Sequence, residues 1–289
     1  VSPMDYTEFL ARDYDDIRIP VDAVKLRFFH EMANFELIWA PTFQSAILPK
    51  GDNPWAMQME VSAGKQIIAD EPRVPENKLG NSEIGGKVSL YLPGIDLALS
   101  ALYTWDKFPV LRKSDAGNDS FLFRQEHHRI SFVGAEFSAL YDAFVLRGES
   151  AFFKGKRLES ARFDGQLFER DMLKWLIGLD WYPGNSWTFS AQFTDGFIID
   201  HKDRIADDAH TMFSTLSISK KLWRETLTLS TFAYIGVNKG DVFDRSSIDY
   251  AFTDEFHISA GIDLFVGDEG MFGQFKDNNE VWVKAKYSF

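Results

Sequence analysis

Two places in the sequence bring together side chains that could hydrolyse an ester or hold a metal ion. His257, Ser259 and Asp263 have the same parity within one strand-like segment, and Glu126–His128 is a run of one acid and two histidines. A hydrolase needs its nucleophile within reach of a histidine. Along one strand face, however, Ser259 and Asp263 lie at successively greater distances from His257. The run lies at a predicted loop–strand junction, where solvated charge is the usual explanation, and no Gly-x-Ser-x-Gly or helical His-x-x-x-His motif occurs. We therefore expect no enzymatic activity, no catalytic residue, no metal site and no cofactor.

Charged side chains that alternate with apolar ones form a second and larger pattern. In the segment Val281–Phe289, for example, apolar residues alternate with Trp282, Lys284, Lys286 and Ser288. Such alternation predicts a β-strand whose two faces meet different solvents, and in a membrane barrel these are lipid outside and water inside. The candidate lumen-lining and selectivity residues are Lys25, Arg27, Glu36, Lys87, Asp106, Glu136, Arg147, Glu149, Lys174, Asp180, Asp263, Lys284 and Lys286. As a set they predict a polar lumen with both signs of charge, although for any single residue mutual pairing that holds the wall is the alternative.

The alternating pattern recurs along the chain in thirteen segments that we predict to be strands. These are Val24–His30, Phe35–Ala40, Ile84–Leu92, Leu97–Trp105, Arg129–Leu140, Phe144–Lys154, Leu173–Tyr182, Trp187–Phe197, Met212–Leu222, Leu227–Val237, Ser247–Phe252, Phe256–Val266 and Val281–Phe289. Most are near the length of about ten residues that a tilted strand needs to cross a bilayer, whereas soluble strands more often have about five or six. Because single-chain bacterial barrels have even strand numbers, Trp55–Ile68 is a candidate for a missed strand.

The connections between these segments alternate strictly between short turns and long polar loops. This arrangement places all short turns on one rim and all long loops on the other, as in outer-membrane barrels with periplasmic turns and extracellular loops. Counting back from the C-terminus puts Phe289 on the short-turn rim, and we interpret this terminal aromatic residue as a membrane-insertion signature. For the long connection Pro41–Glu83, an inward fold that narrows the pore and an extracellular loop without a gating role are equally good predictions.

The composition excludes several classes of protein. The chain of 289 residues has no cysteine, and its formal net charge is -12. An acidic balance argues against nucleic-acid binding, which requires a basic surface. No run of about 18 apolar residues occurs, so the sequence predicts no transmembrane helix.

These observations predict the fold class and the domain organisation. We expect an all-β protein, a transmembrane antiparallel up-and-down β-barrel of about 14–18 strands when complete. Residues 1–20 lack alternation and are predicted to be a non-strand segment that lies in the lumen or follows further strands. Residues 21–289 are predicted to form the barrel, with long extracellular loops.

The N-terminal part of the chain also resembles a known family. The residues that carry the resemblance are Ser2, Pro3, Asp5, Arg12, Asp13, Arg18 and Pro20, together with the stretches FELIWAPTF and NPWA. They resemble an uncharacterised, porin-like family of Gram-negative outer-membrane β-barrel proteins that is known only as a domain of unknown function. The resemblance covers about the first sixty residues. It implies a barrel but no established ligand, and since members of that family have more strands before this motif, it also implies that the chain is a fragment.

The predicted function is that of a porin-like channel in the bacterial outer membrane, for diffusion or facilitated uptake or export of small hydrophilic or amphiphilic solutes. A scaffold barrel that sheathes or anchors a partner protein is the alternative, and an outer-membrane hydrolase is a third class. The expected partners are outer-membrane lipid, a small solute and a possible additional polypeptide that closes or fills the barrel, with no nucleic acid.

Overall fold

The chain is all-β and is dominated by one antiparallel sheet. A computed structural model describes residues 2–8, 16–56, 66–117 and 119–288. Thirteen strands follow one another across the sheet in chain order, which is an up-and-down topology. They are β1 (Val24–His30), β2 (Ala33–Ala40), β4 (Glu83–Leu92), β5 (Ile95–Trp105), β8 (Arg129–Tyr141), β9 (Phe144–Glu159), β10 (Leu167–Trp181), β11 (Trp187–Ile198), β12 (His210–Leu222), β13 (Leu227–Gly236), β14 (Asp241–Ala251), β15 (Phe256–Val266) and β16 (Glu280–Tyr287). Each of the thirteen predicted segments corresponds to one of these strands.

The two faces of the sheet carry different side chains, as the period-two pattern predicts. We define the outer face as the one that carries Leu99, Val133 and Val283, which are 64%, 56% and 74% exposed. The inner face is the opposite one and carries Lys174 and Asp180. Rows of large apolar side chains continue across the outer face from β1 to β16, and no second layer of the described residues covers them.

The connections follow the predicted alternation of short turns and long loops with one exception, because only four residues join Gly236 of β13 to Asp241 of β14 at the rim of the long loops. Turns of two to five residues join β1 to β2, β4 to β5, β8 to β9, β10 to β11, β12 to β13 and β14 to β15 at one rim. The longer segments at the other rim include a second sheet, formed by β3 (Gln66–Ala69), β6 (Val110–Gly117) and β7 (Ser120–Glu126). We call these two ends the short-turn rim and the long-loop rim.

Several boundaries differ from the sequence predictions. Strand β9 ends at Glu159 rather than Lys154, and β10 begins at Leu167 rather than Leu173. The stretch 107–128, predicted to be a polar loop, contains the β6–β7 hairpin. Strand β14 begins at Asp241, six residues before the predicted strand Ser247–Phe252, so Asp241 and Asp244 belong to the sheet and not to the loop that the prediction placed before that strand. The candidate extra strand Trp55–Ile68 is not part of the large sheet where it is described: Gln66–Ala69 pairs in parallel with β7, and residues 57–65 lie outside the described residues.

Two segments cross the inner side of the sheet near the long-loop rim. Residues Met4–Tyr6 bond to the backbone at residues 17, 18 and 47, and Ala46 donates its N–H to the carbonyl of Lys107 at 3.0 Å, beyond the end of β5. On the opposite side, Asp16 lies 3.8 Å from Lys284 of β16. The described parts of residues 2–20 and 41–56 therefore span the space that the inner face encloses.

An aromatic cluster anchors the second of these segments. Trp55 packs with Phe243, Phe265, Phe272 and Phe275, all of which are buried. Phe243 and Phe265 are paired in the register of β14 and β15 on their inner face, and Phe272 belongs to a short helix, α1 (Gly270–Gly273). Burying a large aromatic side chain stabilises the folded state by about 1.5–3 kcal/mol, so this cluster fixes the segment Pro41–Ala56 inward. Of the two predictions for the described part of Pro41–Glu83, the inward one agrees with these contacts.

The large sheet has two free edges within the described ranges. Strand β1 pairs with β2 alone, and β16 pairs with β15 alone. No helix of the described residues is long and apolar enough to cross a membrane.

Candidate functional site

The charged residues predicted to line a lumen all lie on the inner face, and most of them pair with one another. Glu36 of β2 forms ion pairs with both Lys25 and Arg27 of β1, and the Arg27 contact measures 3.3 Å. On the neighbouring strands Lys87 forms an ion pair with Glu136. These side chains are partly exposed on the inner side, where solvent screens their attraction and leaves each pair worth about 0–1 kcal/mol. The selectivity role of each residue stays a prediction.

A second group of pairs lies towards the middle of the sheet. Arg147 lies 2.9 Å from Asp180, and Ser190 donates its hydroxyl proton to the same carboxylate at 2.5 Å. Asp106, just beyond β5, forms an ion pair with Lys156 at 2.6 Å. The contacts of Asp180 bridge neighbouring strands, whereas the Asp106–Lys156 pair joins the end of β5 to β9 across the intervening β8. Together they hold the wall of the sheet and make it polar.

Asp263 is the most enclosed of the predicted residues, with no exposed surface. Arg245 donates to it from Nε at 2.8 Å and also from Nη2, and Trp282 donates from Nε1 at 3.0 Å. Glu280 lies opposite Asp263 in the register of β15 and β16. A solute cannot reach a carboxylate that its neighbours cover on every side, so Asp263 serves the packing of β14–β16 in this arrangement.

The remaining predicted residues have fewer partners. Lys286 lies opposite His257 in the register, and Glu149 lies opposite Glu136, which is a pair of like charges. Glu149, Lys174 and Lys286 have no ion-pair partner within 4.0 Å in the described part of the chain, so they are the charges most available to a solute. Phe289, the predicted membrane-insertion signature, lies outside the described residues.

The group of His257, Ser259 and Asp249 on the inner face has a carboxylate at its centre. Asp249 accepts a hydrogen bond from Ser259 Oγ at 2.6 Å and contacts His257 Nδ1 at 3.0 Å. In a serine hydrolase the histidine stands between the serine and the acid, because it must take the hydroxyl proton. Here Asp249 occupies the central position, which suits a structural bridge between β14 and β15.

The run Glu126–His128 serves the packing of the long-loop rim. Arg112 donates to Glu126 from Nε at 2.9 Å and from Nη2 at 3.0 Å, and this holds the pKa of the Glu126 carboxyl below its usual range. His127 bonds to the carbonyl of Asp106 at 2.8 Å and to Ser45 Oγ at 3.1 Å. Burial lowers the pKa of both His127 and His128. No group of three potential metal-ligating side chains occurs among the residues that the structure describes.

Two neighbouring cavities open on the inner face between β8 and β12. The larger one, of about 390 Å³, lies at the long-loop rim and extends from Asp106 and Phe108 to Thr211 and Phe213. The smaller one, of about 290 Å³, lies closer to the middle of the sheet and is lined by Phe132, Gly134, Glu149, Ala151, Phe153 and Leu176. Lys174 and Thr194 line both cavities, so these two residues mark where one cavity leads into the other.

Two polar groups lie on the outer face, where sequence analysis predicted only apolar side chains. Asp244 accepts hydrogen bonds from Thr231 and Ser246, each at 3.0 Å, and its register partner Leu264 belongs to the outer face. Asp195 of β11 pairs with His210 of β12 at 2.9 Å near the long-loop rim. Parity alone predicts the orientation of both acids once the strand boundaries are known, but Asp244 had been placed in a loop.

No family model matches the chain, and no curated protein matches it. The resemblance of the first sixty or so residues to one particular family therefore stays a prediction. Among solved structures, the chain is similar to the outer membrane phospholipase A from Escherichia coli, with 14% identity and a TM-score of 0.31 over 71% of this chain and 82% of that one.

Proposed function

We propose that the sheet is the wall of a porin-like channel in the bacterial outer membrane, through which small hydrophilic or amphiphilic solutes pass. One observation carries the proposal: each of the thirteen strands has exposed apolar side chains on the outer face, which only a few polar groups such as Asp244 and Asp195 interrupt, while ion pairs and hydroxyl groups predominate on the inner face. In water, each Å² of apolar surface that stays exposed on the outer face would cost about 25 cal/mol of free energy. In a bilayer the same surface contacts apolar lipid chains and this cost is absent.

The inner segments give the channel a constriction. The described parts of residues 2–20 and 41–56 cross the enclosed side. Trp55 fixes the second segment at the long-loop rim, and the Asp16–Lys284 contact fixes the first segment midway along β16. Solutes therefore pass beside these segments rather than through a fully open pore. The cavities around Lys174 lie along the remaining path.

The free edges of β1 and β16 must be covered in a bilayer, because unpaired backbone groups are prohibitive in hydrocarbon. Direct pairing of β1 with β16, or strands from additional polypeptide, would satisfy them. This feature supports a second candidate function, a scaffold barrel that encloses or anchors a partner protein.

Reconstitution separates the two candidates. The purified chain, inserted into planar bilayers, should give stepwise ion conductance, and liposomes that contain it should swell in isotonic solutions of small sugars or amino acids. A folded, inserted protein that gives neither signal would contradict the channel. Conductance that disappears when a co-purifying polypeptide is restored would favour the scaffold instead.

A further inference from the structure

The junction of the two inner cavities has the chemistry of a binding site. Lys174 is exposed to the enclosed space, and its stem passes over Gly196 of β11, where a Cβ atom would come within 3.6 Å of Lys174 Cγ and Cε. A Cβ atom at that distance makes ordinary van der Waals contact, so the aliphatic stem of Lys174 lies against β11. Its ammonium group lies 5.9 Å from the centroid of the Phe153 ring.

The other charges that line the rim cavity are mostly neutralised by partners. Lys156 pairs with Asp106 at 2.6 Å, Glu159 with Lys113 at 2.7 Å, and Arg157 with Glu169 at 2.5 Å. The charged groups that act on Lys174 are Lys156, Asp106 and Asp207, and the first two of these are paired with each other.

Asp207 is the remaining acid of the rim cavity. Enclosure by the surrounding strands and loops, followed by the nearby Glu159 carboxylate, raises the pKa of Asp207 above its usual range. Lys174 is the lining cation of the rim cavity that has no ion pair among the described residues.

The cavity on the other side of Lys174 is mainly apolar. Phe132 and Phe153 pack with their ring centroids 5.3 Å apart, and Leu176 lies on the same face of β10 as Lys174. The Phe132 ring lies over Gly134, where a Cβ atom would come within 2.6 Å of Phe132 Cζ, and Gly134 and Ala151 also line the cavity. Glu149 lies opposite Leu176 in the register and lines the far part of this cavity together with Glu136, which is paired with Lys87.

We propose that Lys174 binds the carboxylate of a small amphiphilic monocarboxylate whose apolar tail lies against Phe132, Phe153 and Leu176. This inference rests on the proposed function, because it names the solute class of the channel. The contact between an ammonium and a carboxylate is among the stronger hydrogen bonds, and the tail adds apolar burial that a small inorganic anion lacks. A cavity of this size is at the lower end for ligand sites, which suits a short chain rather than a long one.

Equilibrium dialysis of radiolabelled octanoate against the protein in lipid nanodiscs tests the site, with empty nanodiscs subtracted. We expect saturable octanoate binding that is at least tenfold tighter than that of octanol, and no saturable binding of octylamine. Lys174→Met should weaken octanoate binding at least tenfold, and Lys174→Arg should keep it within about threefold. Lys221→Met, which removes an exposed lysine at the short-turn rim, should bind as the parent does. Lys174→Gln provides a second neutral variant if Lys174→Met does not fold, as judged by heat-modifiable electrophoretic mobility.

The site is refuted if octanol binds as tightly as octanoate, if a folded neutral variant at position 174 keeps parental affinity, or if the parent binds no octanoate. Parallel conductance measurements keep this outcome apart from failure of the proposed function. If the parent protein conducts ions but binds no octanoate, the binding site is refuted and the proposed channel stands. If it binds octanoate but conducts no ions, the proposed channel is refuted.

Discussion

The buried pair of Arg245 and Asp263 allows a quantitative test of which inner-face charges hold the wall. In the variant Asp263→Asn the guanidinium of Arg245 loses the negative charge that compensates it, while the shape of the side chain is kept. Breaking a buried ion pair by neutralising one partner costs about 3–5 kcal/mol. Glu280 lies opposite Asp263 and supplies a second carboxylate, so we expect the lower end, about 3 kcal/mol.

The matched control is Glu136→Gln, which removes a carboxylate from the same face. Glu136 and its partner Lys87 are both more than a third exposed, so solvent screens their attraction to about 0–1 kcal/mol. Glu149 lies opposite Glu136, and neutralising Glu136 also removes the repulsion between these two acids. We therefore expect a change close to zero for Glu136→Gln.

Urea unfolding of the protein in lipid vesicles, followed by tryptophan fluorescence, measures both changes. A double variant that replaces Arg245 with Met and Asp263 with Leu should recover about 2 kcal/mol of the loss, since an apolar pair no longer leaves a buried charge. The reasoning would be refuted if Asp263→Asn and Glu136→Gln agreed within about 1 kcal/mol, or if the double variant were no more stable than Asp263→Asn.

Three further predictions concern the inner segments and the long-loop rim. Trp55→Ala should release the segment Pro41–Ala56 and raise the single-channel conductance. Trp223→Ala, at a residue that is 69% exposed, should leave the conductance unchanged. Equal conductance of the parent and both variants would contradict the constriction. Burial lowers the pKa of His127 and His128 in the folded rim, so these two histidines bind more protons when the rim is unfolded. Their contribution to the free energy of unfolding of the rim is therefore complete above about pH 6.5 and decreases as the pH falls. The decrease is at most about 1.4 kcal/mol per pH unit for each histidine. Hydrogen exchange at residues 106–128, corrected for intrinsic rates, should therefore show less protection at pH 5 than at pH 7, and unchanged protection would oppose this. Glu149→Gln should shift the reversal potential in a KCl gradient towards anion selectivity, and an unchanged potential would show that Glu149 does not face the ion path.

Most of the fold could be predicted from the sequence because the strands of the large sheet meet two different environments. Period-two alternation is strong in such strands, so each of the thirteen segments was found, and the short turns followed from their turn residues. Strand β14 shows where this signal fails. Asp241 and Asp244 looked like loop residues, but Asp241 is buried and accepts the N–H of Phe272 at 2.7 Å, while Asp244 is satisfied by Thr231 and Ser246.

The sequence predicted which face of the sheet carries the candidate site, but not where on that face the site lies. Parity puts Lys174 and its neighbours on the inner side, but it cannot distinguish a lysine that is paired from one that is free. The distinction depends on contacts between strands that are distant in sequence, such as Asp106 with Lys156 and Glu83 with Lys107. The second sheet was missed for a similar reason, because β3 pairs in parallel with β7 across more than fifty residues of chain.

Site-directed spin labelling along β5 tests most directly the claim that the outer face meets lipid and the inner face meets water. The natural sequence has no cysteine, so single cysteines at positions 97–102 can be labelled without background. In vesicles, the labels at Leu97, Leu99 and Ala101 should be relaxed by oxygen dissolved in the bilayer, and those at Ala98, Ser100 and Leu102 by a water-soluble nickel chelate. If the two relaxation profiles did not alternate, or if the protein stayed monodisperse without lipid or detergent, the membrane channel would be contradicted.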